Sequence, residues 1–313
     1  MNVAFTPPLA RAWDRMVRML FRPFRIEAWF VTGFAAFLTR ALQSLGGTFT
    51  SSGSPWHRGS RDFDDMGSMR ASALHWLGNP AVLLAIAAAL LFCCIVAIVL
   101  FWVGTRAQFV LLDNVLTGRS EFVGPWRRFG RLGRSLFLWS AVFSFTWIVP
   151  LVPLAVVFLG TLHAFISGSP IVWPAIGLLI ATCGFVLVCG IVIAFIGFLL
   201  HEFIVPLMWR YDETATQAWA RFWPLLGSQF GRFFAYAVFY LVLAIASGIA
   251  VLVAAVGTCC IGLVLIAIPY IGSCALLPVT VTGRGLGPEF LAQFGPEWNV
   301  LPAAAPEIGT PVV

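Results

Sequence analysis

The sequence is poor in charge. Only 10% of its 313 residues are Asp, Glu, Lys or Arg, against about 25% in a typical soluble domain, and 60% are hydrophobic. No Asp, Glu or Arg occurs between residues 135 and 201 or between residues 233 and 283. A soluble chain of this size could not bury so much apolar surface, and uncharged apolar runs longer than about 18 residues are typical of transmembrane helices. The composition therefore predicts a polytopic membrane protein.

Lysine is absent, so all 19 basic residues are arginine. A GC-rich genome favours arginine codons and explains this by itself; contact with phosphate, which guanidinium geometry suits, is the alternative explanation. The calculated pI near 9.2 suits contact with anionic lipid headgroups. Because the arginines are spread over several segments next to the apolar runs, we expect membrane lipids as partners and no nucleic acid. Protein partners and a homo-oligomer are left open.

The motifs of catalysis and cofactor binding are also missing. Without lysine there is no phosphate-binding P-loop, and the chain has no Gly-x-Ser-x-Gly or His-Glu-x-x-His pattern. The seven cysteines lie in apolar runs or at their edges, where cysteine behaves as a small hydrophobe. The run from Asp62 to Asp65 lacks the pattern of a calcium loop. We therefore expect no enzyme, no cofactor and no metal site.

Three short segments share one pattern: a small residue or proline, Trp, any residue, Arg, and then Met or Phe. They are 12–16, 125–129 and 218–222, centred on Trp13, Trp126 and Trp219. Each lies in an arginine-bearing amphipathic segment, which is typical of a helix in the headgroup plane. An organellar transit peptide would look similar at the N-terminus, but the recurrence of the pattern favours an interfacial helix.

Each of the three segments precedes a pair of apolar spans. The predicted fold is all-α: six transmembrane helices arranged as three hairpins, each preceded by an amphipathic interfacial helix. The six spans are predicted at about 26–45, 80–105, 136–160, 173–200, 233–255 and 260–280. In a single membrane domain covering 1–313, the repeats are 8–105 with an outer loop at 47–78, then 106–200 and 201–283, followed by a partly disordered cytoplasmic tail at 284–313.

The placement of arginine predicts the orientation of the spans. Fifteen of the 19 arginines flank the spans on one side, three lie in the outer loop, and Arg40 lies inside a span. Because positive residues mark the cytoplasmic side, we expect a protein of the bacterial cytoplasmic membrane with both termini in the cytoplasm. The three repeats then share one orientation and are related by an axis along the membrane normal.

The tryptophan motifs supply the first candidate functional residues. Trp13, Trp126 and Trp219 are expected at headgroup level, where interfacial aromatic residues lie. In each motif the arginine follows two positions later, about 200° around a helix. It should therefore face the cytoplasm or a neighbouring helix, or turn inward to meet an acidic group such as Asp14, Asp113 or Glu202. The three arginines are Arg15, Arg128 and Arg221.

Three ionisable residues within or beside the spans are the second group of candidates. Arg40 follows Glu27 by 13 positions, so it lies about 20 Å further along the first span, in its outer part. A charge inside a span marks a functional site by default, but a long side chain there can also reach the headgroups, and we favour the latter. His201 and Glu202 lie where the fourth span ends. They are interpreted as an interfacial pair with separate partners, with a proton relay as the alternative.

The three Trp/Arg segments before apolar hairpins, together with the stretch from Phe290 to Gly295, resemble a set of uncharacterised bacterial six-helix membrane proteins. They are also similar to the membrane-anchor domain of bacterial glycerophosphodiester phosphodiesterases. The resemblance covers residues 10–295, and because the catalytic domain is absent it implies no enzymatic activity. We therefore expect a structural, scaffolding or lipid-interacting role. A small-molecule transporter or channel is the alternative, and it would need polar groups converging near the midplane.

Reporter fusions test the predicted topology. A reporter fused to the C-terminal tail should be active only inside the cell, and a reporter inserted near Gly59 only outside it. A tail reporter that is active outside would contradict both the orientation and the parallel arrangement of the repeats.

Overall fold

A computed structural model describes residues 4–22, 24–47, 80–166, 172–258, 262 and 268–302, and all regular structure in them is helical. A π-helical turn spans Leu200–Ile204, and two 3₁₀ turns follow the last α-helix. The α-helices are α1 Thr6–Leu20, α2 Ile26–Gly47, α3 Pro80–Thr117, α4 Val123–Arg128, α5 Gly130–Thr146, α6 Ile148–Ile166, α7 Val172–Leu199, α8 Val205–Tyr211, α9 Ala215–Gly257, α10 Pro269–Ala275 and α11 Leu277–Leu291.

Four helical segments in the described residues are long and apolar enough to cross a membrane: Pro80–Thr117, Gly130–Ala164, Trp173–Tyr211 and Ala215–Gly257. They match the second to fifth predicted spans and indicate a membrane protein. The first predicted span forms α2 but is not among the four. The sixth is described only at residues 262 and 268–280, and nearly all of the outer loop at 47–78 lies outside the described residues. Six spans in three hairpins therefore stay a prediction.

The buried core lies at the arginine-bearing ends of the long helices. In α3 the side chains from Pro80 to Trp102 are largely exposed, whereas nearly all residues from Gly104 to Leu116 are buried. The same change occurs in α7 and its continuation, where Val188 is 61% exposed and Leu199 is 1% exposed. Lipid tails are as apolar as these side chains, so the exposed halves need no protein cover.

Aromatic side chains fill the centre of this core. Phe203, Phe222 and Phe233 are fully buried, and their ring centroids lie 5.1–5.6 Å apart. The ring of Phe290 lies 4.3 Å from that of Tyr236. Offset and edge-on aromatic pairs contribute about 0.5–1.5 kcal/mol beyond their burial. These contacts join α9, α11 and the π-helical turn into one packed unit.

A second buried cluster joins the N-terminal helix to the same unit. Met16 and Leu20 of α1 pack with Ala35 of α2, Val110 of α3 and Leu277 of α11. The α2 helix also packs against α3 and α10, and α6 packs against α7. The α1 helix, predicted to lie in the headgroup plane, therefore contributes its apolar face to the core.

Some helices run past their predicted limits. The second span was predicted to end near Thr105, but α3 continues to Thr117 because the following residues are buried in the core. The predicted boundary between residues 283 and 284 lies inside α11, which continues to Leu291. The third amphipathic segment and the fifth span form a single helix, α9, with a break in its backbone angles at Gln229. The last predicted disordered residues, 303–313, lie outside the described residues.

Gly287 provides a test of how tightly the core is packed. A Cβ atom at this position would lie 2.3 Å from the backbone oxygen of Glu202, which cannot give way easily. The G287A variant should therefore lose about 1–3 kcal/mol of unfolding free energy, as overpacked cores do. Thermal unfolding in detergent measures this, with G160A as control, because a Cβ at Gly160 meets nothing within 4 Å. Equal melting temperatures for the two variants would contradict the tight contact.

Candidate functional site

A buried carboxylate holds the N-terminal helix in place. Glu289 of α11 is only 2% exposed, and it accepts a 2.7 Å hydrogen bond from Nε of Arg11 and a 2.6 Å bond from Nη2 of Arg15. Arg15 also donates to the backbone oxygen of Leu116, 3.3 Å away. Charge-assisted bonds of this kind are about twice as strong as neutral ones. The cluster therefore ties α1, α3 and α11 together.

The π-helical turn brings two ionisable residues into the core. Its wider winding differs from the α-helix on either side, and such turns often mark functional sites. Nδ1 of His201 lies 3.1 Å from Oε1 of Gln108, which is buried in α3. Glu202 is 7% exposed, and its Oε2 accepts a 3.2 Å hydrogen bond from the hydroxyl of Tyr236. The two neighbouring residues thus have separate partners on different helices.

A cavity of about 560 Å³ lies beside this turn. His201 and Glu202 form one wall, and Arg40 and Arg284 contribute two cationic groups. The sequence placed Arg40 about 20 Å along the first span and His201 at the end of the fourth, whereas the structure brings them to the same cavity. The remaining polar lining comes from Thr39, Tyr240, Ser247 and Thr280. The cavity is therefore lined by two cationic side chains, one carboxylate and several hydroxyl groups.

The three motif tryptophans have different surroundings. Trp13 is 53% exposed, whereas Trp126 and Trp219 are half-buried. The indole of Trp126 lies 4.6 Å from the guanidinium of Arg106, whose Nε donates to the backbone oxygen of Trp126 at 2.7 Å. The Trp219 ring stacks on Trp139 at 5.6 Å. Two of the three indoles thus pack against protein on at least one face.

The three motif arginines also differ. Arg15 turns inward, but its carboxylate partner is Glu289 and none of the acidic groups considered from the sequence. Arg128 is exposed, with its guanidinium 5.2 Å from the ring of Phe129. Arg221 pairs with Glu213 and lies 4.4 Å from the Tyr211 ring centroid.

Sequence reasoning missed several residues of this region. Glu289 was assigned to the tail, although its position as the one acidic residue between Glu213 and Glu297 was a visible signal. Asp113 was considered only as an arginine partner, but its Oδ1 accepts a 2.8 Å hydrogen bond from Trp209. Gln108 and Tyr236 carried no signal, because their roles depend on helices distant in sequence. Within the described residues, no three His, Cys, Asp or Glu side chains come together as a metal site would require.

These features define an all-helical membrane protein with a packed, polar region at the arginine-bearing ends of its helices. The chain belongs to DUF7544, a family of unknown function whose model matches residues 6–295. Comparison with curated proteins and with solved structures finds no match.

Removing the charge of Glu289 tests the attachment of α1. Loss of one partner from a buried ion pair costs about 3–5 kcal/mol, and because the Arg11 side chain is 51% exposed we expect E289Q near the lower end. The matched control is E213Q, which breaks the more exposed pair with Arg221 and should cost at most about 1 kcal/mol.

Thermal unfolding in detergent measures the loss of stability, and trypsin cleavage after Arg11 and Arg15 measures the release of α1 from the core. E289Q should lower the melting temperature and speed this cleavage, because α1 leaves the core. Equal behaviour of E289Q and E213Q would show that Glu289 does not hold the helix.

Proposed function

We propose that the chain is a non-enzymatic protein of the bacterial cytoplasmic membrane with a structural, scaffolding or lipid-interacting role. The observation that carries this proposal is the set of exposed aromatic and cationic side chains at the end of α1 and directly after it. Phe21 and Phe24 are 46% and 62% exposed, and Arg18 and Arg22 are exposed beside them. Apolar rings next to cationic groups are the arrangement of segments that lie at the headgroup level of anionic membranes.

The arginines at one end of the helices support cytoplasmic placement of both termini. Positive residues are enriched on the cytoplasmic side of membrane proteins, and the cytoplasmic leaflet carries the anionic lipids that attract them. We also propose the finer arrangement expected from the sequence: six spans in three hairpins, related as repeats. Similarity to the anchor domain of glycerophosphodiester phosphodiesterases belongs to the same proposal. It is supported by the position of the three Trp/Arg motifs on α1, α4 and α9.

A small-molecule transporter or channel is the second candidate. The cavity beside the π-helical turn favours it, because polar and charged groups among membrane helices line the substrate paths of transporters. A transporter must expose such a cavity alternately to the two sides of the membrane. A cysteine at Ser247, which lines the cavity, should then react with impermeant thiol reagents from both sides in a cysteine-free background. Reaction from only one side would favour the non-transport role.

Lipid selectivity tests the first proposal. The variant R18Q/R22Q/R127Q/R128Q removes four exposed arginines, each expected to contribute about 1 kcal/mol of attraction to an anionic surface. Spin-labelled anionic and zwitterionic phospholipids in reconstituted bilayers measure the excess of anionic lipid next to the protein. That excess should fall in the variant without a change in melting temperature.

The matched control is R131Q/R221Q, because these two arginines already pair with Asp212 and Glu213. It should keep most of the anionic excess. An excess that is unchanged in the four-arginine variant would contradict a lipid-interacting role for this surface.

A further inference from the structure

A crevice lies between α9 and α11, and the structure divides it into two adjoining cavities. One is the polar cavity of about 560 Å³, and the other has a volume of about 510 Å³. Five residues line both cavities, three from α9 and two from α11: Tyr240, Ala244, Ser247, Val279 and Gly283. The two cavities are therefore neighbouring ends of one space, each of a size typical of ligand sites.

The first end of the crevice is cationic. Arg40 and Arg284 line it together with one carboxylate, Glu202, which already accepts a hydrogen bond from Tyr236. Neither arginine forms an ion pair with any residue that the structure describes. Arg284 is half-buried and interacts electrostatically with Glu202, so the two arginines of this cavity share one carboxylate among the lining residues. A guanidinium group matches the geometry of a phosphate, to which it can donate two parallel hydrogen bonds.

The second end of the crevice is apolar. Leu9, Ala10 and Trp13 of α1 line it together with Leu243 of α9. Trp13 is 53% exposed, so its indole is free to lie along an apolar chain. The exposed Asp14 also lines this end of the crevice. Its negative charge repels an anionic group here, so the anionic group of a ligand is favoured at the end with the two arginines.

We propose that this crevice binds one anionic phospholipid, with its phosphate at Arg40 and Arg284 and an acyl chain along Leu9, Ala10 and Trp13. The inference rests on the proposed lipid-interacting function and makes it specific, since it names a site for a single bound lipid in addition to the surrounding bilayer. Gly283 keeps the middle of the crevice open, because a Cβ there would lie 3.3 Å from the hydroxyl of Tyr240. The phosphate of the bound lipid adds a second negative charge beside Glu202, so that each of the two arginines has an anionic neighbour.

Native mass spectrometry of the purified protein with added dioleoyl phosphatidylglycerol tests the site. The wild-type protein should retain one lipid under detergent conditions that remove the rest. R40Q/R284Q should bind that lipid about tenfold more weakly, because both charge-assisted contacts are lost. The control R210Q changes an exposed arginine outside the crevice and should bind like the wild type. Equal affinity of R40Q/R284Q and wild type would overturn the proposal.

The variant A10W tests the apolar end without a change in charge. Ala10 is exposed and lines only the apolar cavity, so a tryptophan there should compete with the acyl chain and weaken lipid binding. Inorganic phosphate is the comparison ligand. If phosphate alone raises the melting temperature as much as the lipid does, and A10W has no effect, the site binds free phosphate and the lipid assignment is wrong. Should R40Q/R284Q not fold, unchanged lipid affinity in folded A10W would overturn the proposal by itself.

The crevice and the surface that contacts the surrounding bilayer contain different arginines. The anionic excess measured by spin-labelled lipids depends on Arg18, Arg22, Arg127 and Arg128, none of which lines the crevice. Suppose that anionic lipid is in normal excess next to the protein, but that binding of the single lipid does not depend on Arg40 and Arg284. The crevice site would then be wrong, while the general lipid-interacting role would still be supported.

Discussion

The packed region depends on a carboxylate that has almost no access to solvent. Glu289 is 2% exposed and is held by Arg11 and Arg15, so the N-terminal helix cannot leave the core without uncovering a buried charge. This contact also divides the arginines of the N-terminal segment by role. Arg11 and Arg15 serve the fold, while Arg18 and Arg22 stay exposed beside aromatic side chains. One short amphipathic segment thus combines a structural anchor with a surface suited to lipid headgroups.

Residues 285–290 of α11, which include Glu289, also contact three other parts of the core. Gly285 lies against Ala12 of α1, and Gly287 lies against the backbone of Glu202 in the π-helical turn. Only small residues permit such close approach between helices. Glu289 and Phe290 follow directly, the first in the ion pairs and the second in the aromatic cluster. Residues 285–290 therefore bring α1, the π-helical turn and α9 to one place, beside the cavity that contains Arg284.

The long helices are divided between two environments. Their arginine-bearing ends form a core with aromatic stacking, ion pairs and buried hydrogen bonds, whereas the side chains of their apolar halves are largely exposed. In a bilayer there is little hydrophobic drive for such halves to associate, so the specific contacts that order the helices must come from elsewhere. Here they are concentrated at the packed end. This division suits a protein that presents a large apolar surface to lipid and keeps its polar chemistry at one end.

The sequence was enough to predict a polytopic helical membrane protein, because hydropathy and helical periodicity are local properties. It predicted the second to fifth apolar spans and the arginine-bearing segments around Trp13, Trp126 and Trp219. Which arginines turn inward depends on the packing of the whole chain: Arg15 and Glu289 are 274 positions apart, and no local pattern relates them. The same packing brings Arg40, His201, Glu202 and Arg284 around one cavity. A side chain's partner depends on how whole helices pack, and that packing is set by many weak contacts between distant segments.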